Sequence, residues 1–101
     1  MEVLEFQKLC SSVVKKIDKK YSLSRDEQFN ISQLVEELGE LAKEVNREKL
    51  RGKKAEKKDL EDEFADVLLQ LLNLAEMFGV NLEKSVKDKI NKLEERHNLK
   101  F

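Results

Sequence analysis

The sequence predicts an all-α protein, a four-helix protomer whose bundle is completed by a second copy. Three observations carry that expectation. Proline is absent and glycine occurs only 3 times in 101 residues, while Lys, Glu, Leu, Val and Ile dominate, which suits long helices better than a sandwich or barrel. Apolar residues recur with the 3.6-residue helical period in four successive segments. The third segment is apolar around most of its circumference from Phe64 to Phe78, and such a helix is buried nearly all round. Four helices do not easily surround a central one, so a symmetric dimer is the simplest cover.

The first helix is expected over about residues 2–20, with Phe6, Leu9, Cys10, Val13, Val14 and Ile17 on its apolar face. "YSLSRDE" then interrupts the pattern, and Ser24 with Glu27 reads as a capping box for the second helix. That helix runs to about Asn46 and offers Phe29, Ile31, Leu34, Val35, Leu38, Leu41 and Val45 for burial. A basic stretch with Gly52 as breaker follows and reads as a mobile connection over about residues 47–58. The third helix starts near Glu56–Asp59 and ends at Phe78, with Gly79 as the expected C-cap. Asn81 is the expected N-cap of the fourth helix, whose apolar stripe is narrow: Leu82, Val86, Ile90 and Leu93.

A chain of this length is one domain, residues 1–101. Acids and bases nearly balance, 21 against 20, for a net charge of −1. Nothing in that balance calls for a nucleic acid polymer or a membrane surface. With one cysteine, Cys10, no disulfide within the chain is available. No apolar run is long enough to span a bilayer and no secretory leader is evident, so the expected location is the cytoplasm.

The balance of charge conceals a local imbalance. "LVEELGELAKEV" crowds Glu36, Glu37, Glu40 and Glu44 onto three helical turns, and no base occurs between Asp26 and Ala42. Glu36–Glu40 and Glu40–Glu44 are i,i+4 like-charge pairs, which weaken an isolated helix. From Asp59 through Glu83 every charged residue is acidic. There the polar residues Glu63, Asp66, Gln70 and Asn73 step by three, four and three along one seam of an otherwise apolar helix. Glu37 and Glu40 on one helix, and Glu63 and Asp66 on the other, flank buried faces. Antiparallel packing would converge the four carboxylates. Partly buried carboxylates must be protonated, paired or metal-bound. An all-oxygen donor set with no His or Cys suits a hard cation, Mg²⁺ or Mn²⁺.

"EELGE" (Glu36, Glu37, Glu40) followed by "EFAD" (Glu63, Asp66) resembles the EExxE…ExxD signature of MazG-like all-α nucleoside triphosphate pyrophosphatases. The likeness covers about residues 26–97. It implies Mg²⁺-dependent hydrolysis of a nucleoside triphosphate to the monophosphate and pyrophosphate. It implies Glu37, Glu40, Glu63 and Asp66 as metal ligands, with Glu36 as a further ligand or the group that orients or deprotonates the attacking water. It also implies dimers or dimers of dimers, with basic residues of the last helix on the phosphates; Lys89, Lys92 and Arg96 lie in the corresponding stretch. Two other readings keep the same sequence features. One is a related hydrolase of another pyrophosphate, such as phosphoribosyl-ATP. The other is a non-catalytic helical dimer that serves as a binding module.

Overall fold

Helix boundaries follow from caps that the local sequence supplies. The computed structural model describes residues Met1–Phe101, and the chain forms α1 (Val3–Lys20), α2 (Glu27–Val45), α3 (Arg47–Arg51), α4 (Lys57–Met77) and α5 (Leu82–His97). There is no strand. α1 stops where Ser22 adopts a left-handed φ of 54°, letting the Leu23 N–H reach back to the Asp18 carbonyl at 2.8 Å. α4 ends the same way: Gly79 takes φ 66°, and the Val80 and Gly79 N–H groups bond the Ala75 and Glu76 carbonyls at 2.8 and 3.1 Å. This is the 6→1, 5→2 pattern that favours glycine. Asn81 caps α5 as its position suggests, accepting the Lys84 N–H at 3.1 Å.

Two expectations are corrected. The N-cap of α2 is Asp26, which accepts the Phe29 N–H at 2.7 Å, rather than Ser24. Arg25 is drawn inward to Asp18 at 2.7 Å, which sets the chain's entry into α2 two residues later than the capping-box pattern. The basic connection is also more ordered in form than a plain loop. Arg47–Arg51 is helical and closes on Gly52, whose φ is 72°.

α2 and α4 make the most extensive packing, and α1 lies against α4 and α5. The α2–α4 pair is antiparallel: Asn73 donates to Asn30 at 2.7 Å, while at the other end Arg47 pairs with Asp59 at 3.5 Å. α1 is fastened by Gln7, whose side chain is fully buried. Its Nε2 donates to Glu76 Oε1 at 2.9 Å and to the Val80 carbonyl at 2.6 Å, while its Oε1 accepts the Leu82 N–H at 3.2 Å. One side chain thus ties α1 to the α4–α5 corner.

The core of the protomer is thin. Only 9 of 101 residues are buried, and five of those are Gln7, Ser11, Asp18, Asn30 and Asn73. On α1, Cys10 and Val14 are buried, whereas Phe6, Leu9, Val13 and Ile17 are not. The buried side of α1 is shifted from its expected apolar phase toward Gln7 and Asp18, both of which are hydrogen-bonded. α4 is likewise less enclosed than its composition predicts: Phe64 is 59% exposed and Leu68 43%. α1 and α4 leave between them an apolar cavity of about 340 Å³ lined by Phe6, Leu9, Val13 and Leu68 among others. No single helix is long and apolar enough to cross a membrane.

Candidate metal centre

The antiparallel register of α2 and α4 sets the acids face to face. Asn30 meets Asn73 at one end of the seam and Arg47 meets Asp59 at the other. Between these anchors the helices bring Glu37, Glu63 and Asp66 together, with carboxylate oxygens all within 4.8 Å of one another. Glu37 and Glu63 are half-buried and Asp66 is exposed. None of the three has an ion-pair partner within 4.0 Å, although all the other ion pairs of the chain are accounted for elsewhere: Asp18, Glu40, Glu44, Asp59, Glu83 and Asp88 each hold a base.

Their protonation records that crowding. Glu37 is held above the ordinary carboxylate range by partial burial first, then by the charges of Asp66, Glu63, Glu36 and Glu40. Glu63 is raised likewise, by desolvation and then by Asp66, Glu40, Glu44 and Asp62. The cluster is therefore a concentration of negative charge that the protein itself does not neutralise.

The donor set fits a small hard dication. Mg²⁺ and Mn²⁺ take oxygen ligands, and carboxylates are among those they favour. Carboxylates already within 4.8 Å of one another need only modest side-chain rotation to share an ion. Glu37 lies mid-way along α2 and Glu63 and Asp66 lie within α4, so their backbone is held by helix and only side chains need adjust.

The remaining expected site residues stand further out. Glu40 is exposed and ion-paired with Lys43 at 3.4 Å, though its charge still acts on Glu63. Glu36 is exposed and accepts from Gln33 Nε2 at 3.5 Å. Lys89, Lys92 and Arg96 are exposed on α5, whose packing partner is α1 rather than α2. None of the three forms an ion pair with the clustered acids. The cations that do stand near the acidic end of α2 are Lys43, Arg47 and Arg51, which line a cavity of about 260 Å³ with Glu40 and Glu44.

Reading the sequence missed a second polar constellation, one step along the same seam. Arg25 forks onto Asp18, with Nε to Oδ2 at 2.7 Å and Nη2 to Oδ1 at 3.2 Å. Its Nη1 donates to Asn30 Oδ1 at 2.9 Å and to Gln70 Oε1 at 3.1 Å, and its guanidinium lies 5.0 Å from the Phe29 ring centre. Asn30 Nδ2 donates to the Gln70 carbonyl at 2.9 Å and Asn73 Nδ2 to Asn30 Oδ1 at 2.7 Å. A signal was present: Asn30 precedes Glu37, and Asn73 follows Asp66, by seven residues, so each lies on nearly the same side of its helix as the acid.

Comparison with known proteins accords with this geometry. Residues 25–101 match the family model of the MazG nucleotide pyrophosphohydrolase domain. The chain is 41% identical over 58 residues to an uncharacterized protein, YpjD, of Bacillus subtilis (strain 168), an overlap of 54% of this chain and 52% of YpjD. The chain thus spans about half the length of that curated relative. No solved structure gives a significant match. Three facing carboxylates of α2 and α4 without an ion-pair partner, inside a segment that fits the family model over three of the four long helices, lead to one assignment: the chain belongs to the MazG nucleotide pyrophosphohydrolase family.

Proposed function

We propose that the protein hydrolyses a nucleoside triphosphate to the monophosphate and pyrophosphate, using Mg²⁺ or Mn²⁺ held by Glu37, Glu63 and Asp66, with Glu40 joining them. The observation that carries this reading is the convergence of three carboxylates from two antiparallel helices within 4.8 Å, with no base on any of them. A triphosphate is polyanionic and would be repelled by those acids. When bound, the dication reverses the local charge, binds phosphate oxygens and lowers the pKa of a coordinated water.

In this reading the chain's own groups orient the substrate and handle the proton. Water oxygen bonds to the α-phosphorus as the bridging bond to the β-phosphate breaks. One water proton passes to a carboxylate, for which Glu36 is the candidate, and the bridging oxygen departs with pyrophosphate. Lys43, Arg47 and Arg51 line a cavity with Glu40 and Glu44 of α2, and they would offset charge on the leaving group. Lys89, Lys92 and Arg96 would act on the phosphates from a second copy. A homodimer, or a dimer of dimers, would also cover apolar side chains that one copy leaves open, such as Leu38 at 52% exposed and Phe64 at 59%.

A screen for pyrophosphate release over common and damaged nucleotides, with and without Mg²⁺ or Mn²⁺, tests the reading. Monophosphate and pyrophosphate should appear in equal amounts, only with metal, and Glu63→Gln should abolish both. Metal binding without release from any nucleotide would favour a non-catalytic module. Release confined to phosphoribosyl-ATP would favour the related hydrolase.

A further inference from the structure

The even overall charge conceals a second imbalance, opposite in sign to the crowded acids. From Phe6 through Arg25 the chain carries six bases, Lys8, Lys15, Lys16, Lys19, Lys20 and Arg25, against one acid, Asp18. Asp18 is buried and already neutralised by Arg25 at 2.7 Å. Lys20 lies over the Tyr21 ring, 5.5 Å from its centre. The other four lysines are exposed on α1, and no ion pair engages any of them. Lys15–Lys19 and Lys16–Lys20 are like-charge pairs at i,i+4, which weaken a helix that has nothing to offset them.

The four unpaired lysines share a groove. Lys8, Lys15, Lys16 and Lys19 line a concavity of about 430 Å³ with two serines of α1 and Glu76, and no apolar side chain enters its wall. Glu76 is occupied by Gln7 Nε2 at 2.9 Å. A second cavity, of about 290 Å³, is lined by the same Lys15 and Lys19 together with Arg25, so the basic surface continues past the end of α1. Lys8, Lys15 and Lys19 step by seven and four residues. That keeps them within about 40° of one another around the helix and spreads them over about 16.5 Å of its axis. A straight stripe of charge matches a stiff polyanion with repeated charges better than one compact anion. Its surroundings select among polyanions. An anionic membrane takes a helix whose apolar face is flanked by lysines. Here Phe6, Val13 and Ile17 each precede a groove lysine by two residues, about 200° around the helix, so the exposed apolar stripe points away from the charges. Single strands are held by aromatic side chains on which their bases stack, and no aromatic residue lines either cavity. A duplex stacks its own bases and presents phosphates, one charge per about 1.7 Å of axis.

We propose that the lysine face of α1 binds the phosphate backbone of a double-stranded nucleic acid, without reading its sequence. Lys8, Lys15, Lys16 and Lys19 each contact a phosphate, and the stripe spans about five base pairs. This face is separate from the metal centre, since none of Glu37, Glu63 and Asp66 lines either cavity.

The test is fluorescence anisotropy of a labelled, random-sequence DNA duplex titrated with the full chain, in salt from about 50 to 200 mM. Four phosphate contacts give log K against log salt a slope of about −3.6 per bound copy. Lys15→Gln combined with Lys19→Gln should halve that slope and lower affinity at about 50 mM salt at least about tenfold. Lys84→Gln combined with Lys87→Gln, on α5, should leave the slope unchanged. All four positions are exposed, and circular dichroism checks that each variant is folded. No binding of duplex at the lowest salt would overturn the proposal, as would wild-type affinity and slope in the folded Lys15→Gln, Lys19→Gln variant. The competing partners are read in the same buffer. A single strand of the same length that binds more tightly than the duplex would overturn it. So would phosphatidylglycerol vesicles that retain the protein at salt where the duplex has released it. Poly-glutamate that displaces the duplex at equal charge concentration would overturn it in favour of an acidic protein.

Discussion

Replacing Glu37 by Gln should stabilise the metal-free protein and erase its response to Mg²⁺. The magnitude follows from the geometry. With oxygens up to 4.8 Å apart, the Glu37–Asp66 pair repels by 332/(ε × 4.8), about 0.9 kcal/mol at the dielectric of water and about 3.5 kcal/mol at an effective value of 20. Asp66 is exposed and Glu37 half-buried, so the aqueous figure is the better guide, and about 1 kcal/mol is expected in EDTA. For a domain of this size that raises Tm by roughly 4–8 °C. Saturating metal acts oppositely. At one hundred times its Kd, Mg²⁺ adds about 2.7 kcal/mol to the wild type by mass action, and little to the variant, which has lost a ligand. The two proteins should therefore exchange rank: the variant melts higher in EDTA and the wild type melts higher in Mg²⁺. Thermal denaturation followed by circular dichroism, at one protein concentration, reads this directly. A variant that melts lower than the wild type in EDTA, or gains as much from Mg²⁺, would refute the idea that these acids are held together in wait for a cation.

Other outcomes follow from the same coordinates. Because Glu37 and Glu63 have raised folded-state pKa values, the folded metal-free protein holds their protons more tightly than the unfolded chain. Their contribution to stability is present below the ordinary carboxylate range and is lost as pH rises through the raised values. Mg²⁺ competes with those protons, so the Tm gain on adding Mg²⁺ should shrink from pH 7 to pH 5. Arg25→Ala removes the partner of a buried Asp18, with 11% of the aspartate side chain exposed, and should cost about 3 kcal/mol in urea denaturation. Arg25→Lys should lose much of this too, because an ammonium cannot form the fork. The proposed homodimer predicts that light scattering finds a dimer for the wild type and a monomer for Leu38→Glu or Phe64→Glu, which place charge on the open apolar face. An unchanged mass would exclude that face from the interface.

Much of the candidate site was readable in one dimension, and its limits were those of a helix viewed alone. The charge exclusion around Glu37 and around Glu63 is a property of composition along each helix, so the acids could be singled out without coordinates. The seam Glu63, Asp66, Gln70, Asn73 was visible from spacing, yet its second half had no evident purpose. Arg25, Asp18 and Asn30 escaped notice because an Asn beside Phe29 and an Arg in a loop look like ordinary solvated residues. Only their burial, and the fork from Arg25, distinguishes them. Likewise Gln7 sits between Phe6 and Lys8 and looks exposed until the α4–α5 corner closes around it.

By itself the sequence determined what is local: helical class, the stopping points at Gly79 and Asn81, and the grouping of acids on two faces. These depend on backbone propensity and on a fixed angle per residue, which neighbours in the chain specify. Tertiary structure decided the rest. It chose the antiparallel register that sets Glu37 against Glu63 and Asp66 while Glu40 turns to Lys43. It rotated α1 onto Gln7, Cys10, Val14 and Asp18, away from the phase its apolar residues alone favour. It also left α5 packed against α1. Those choices are settled by which side chains meet across helices. On α1 the buried side carries Gln7 and Asp18 with their hydrogen bonds, and Phe6, Leu9 and Val13 line the groove beside α4.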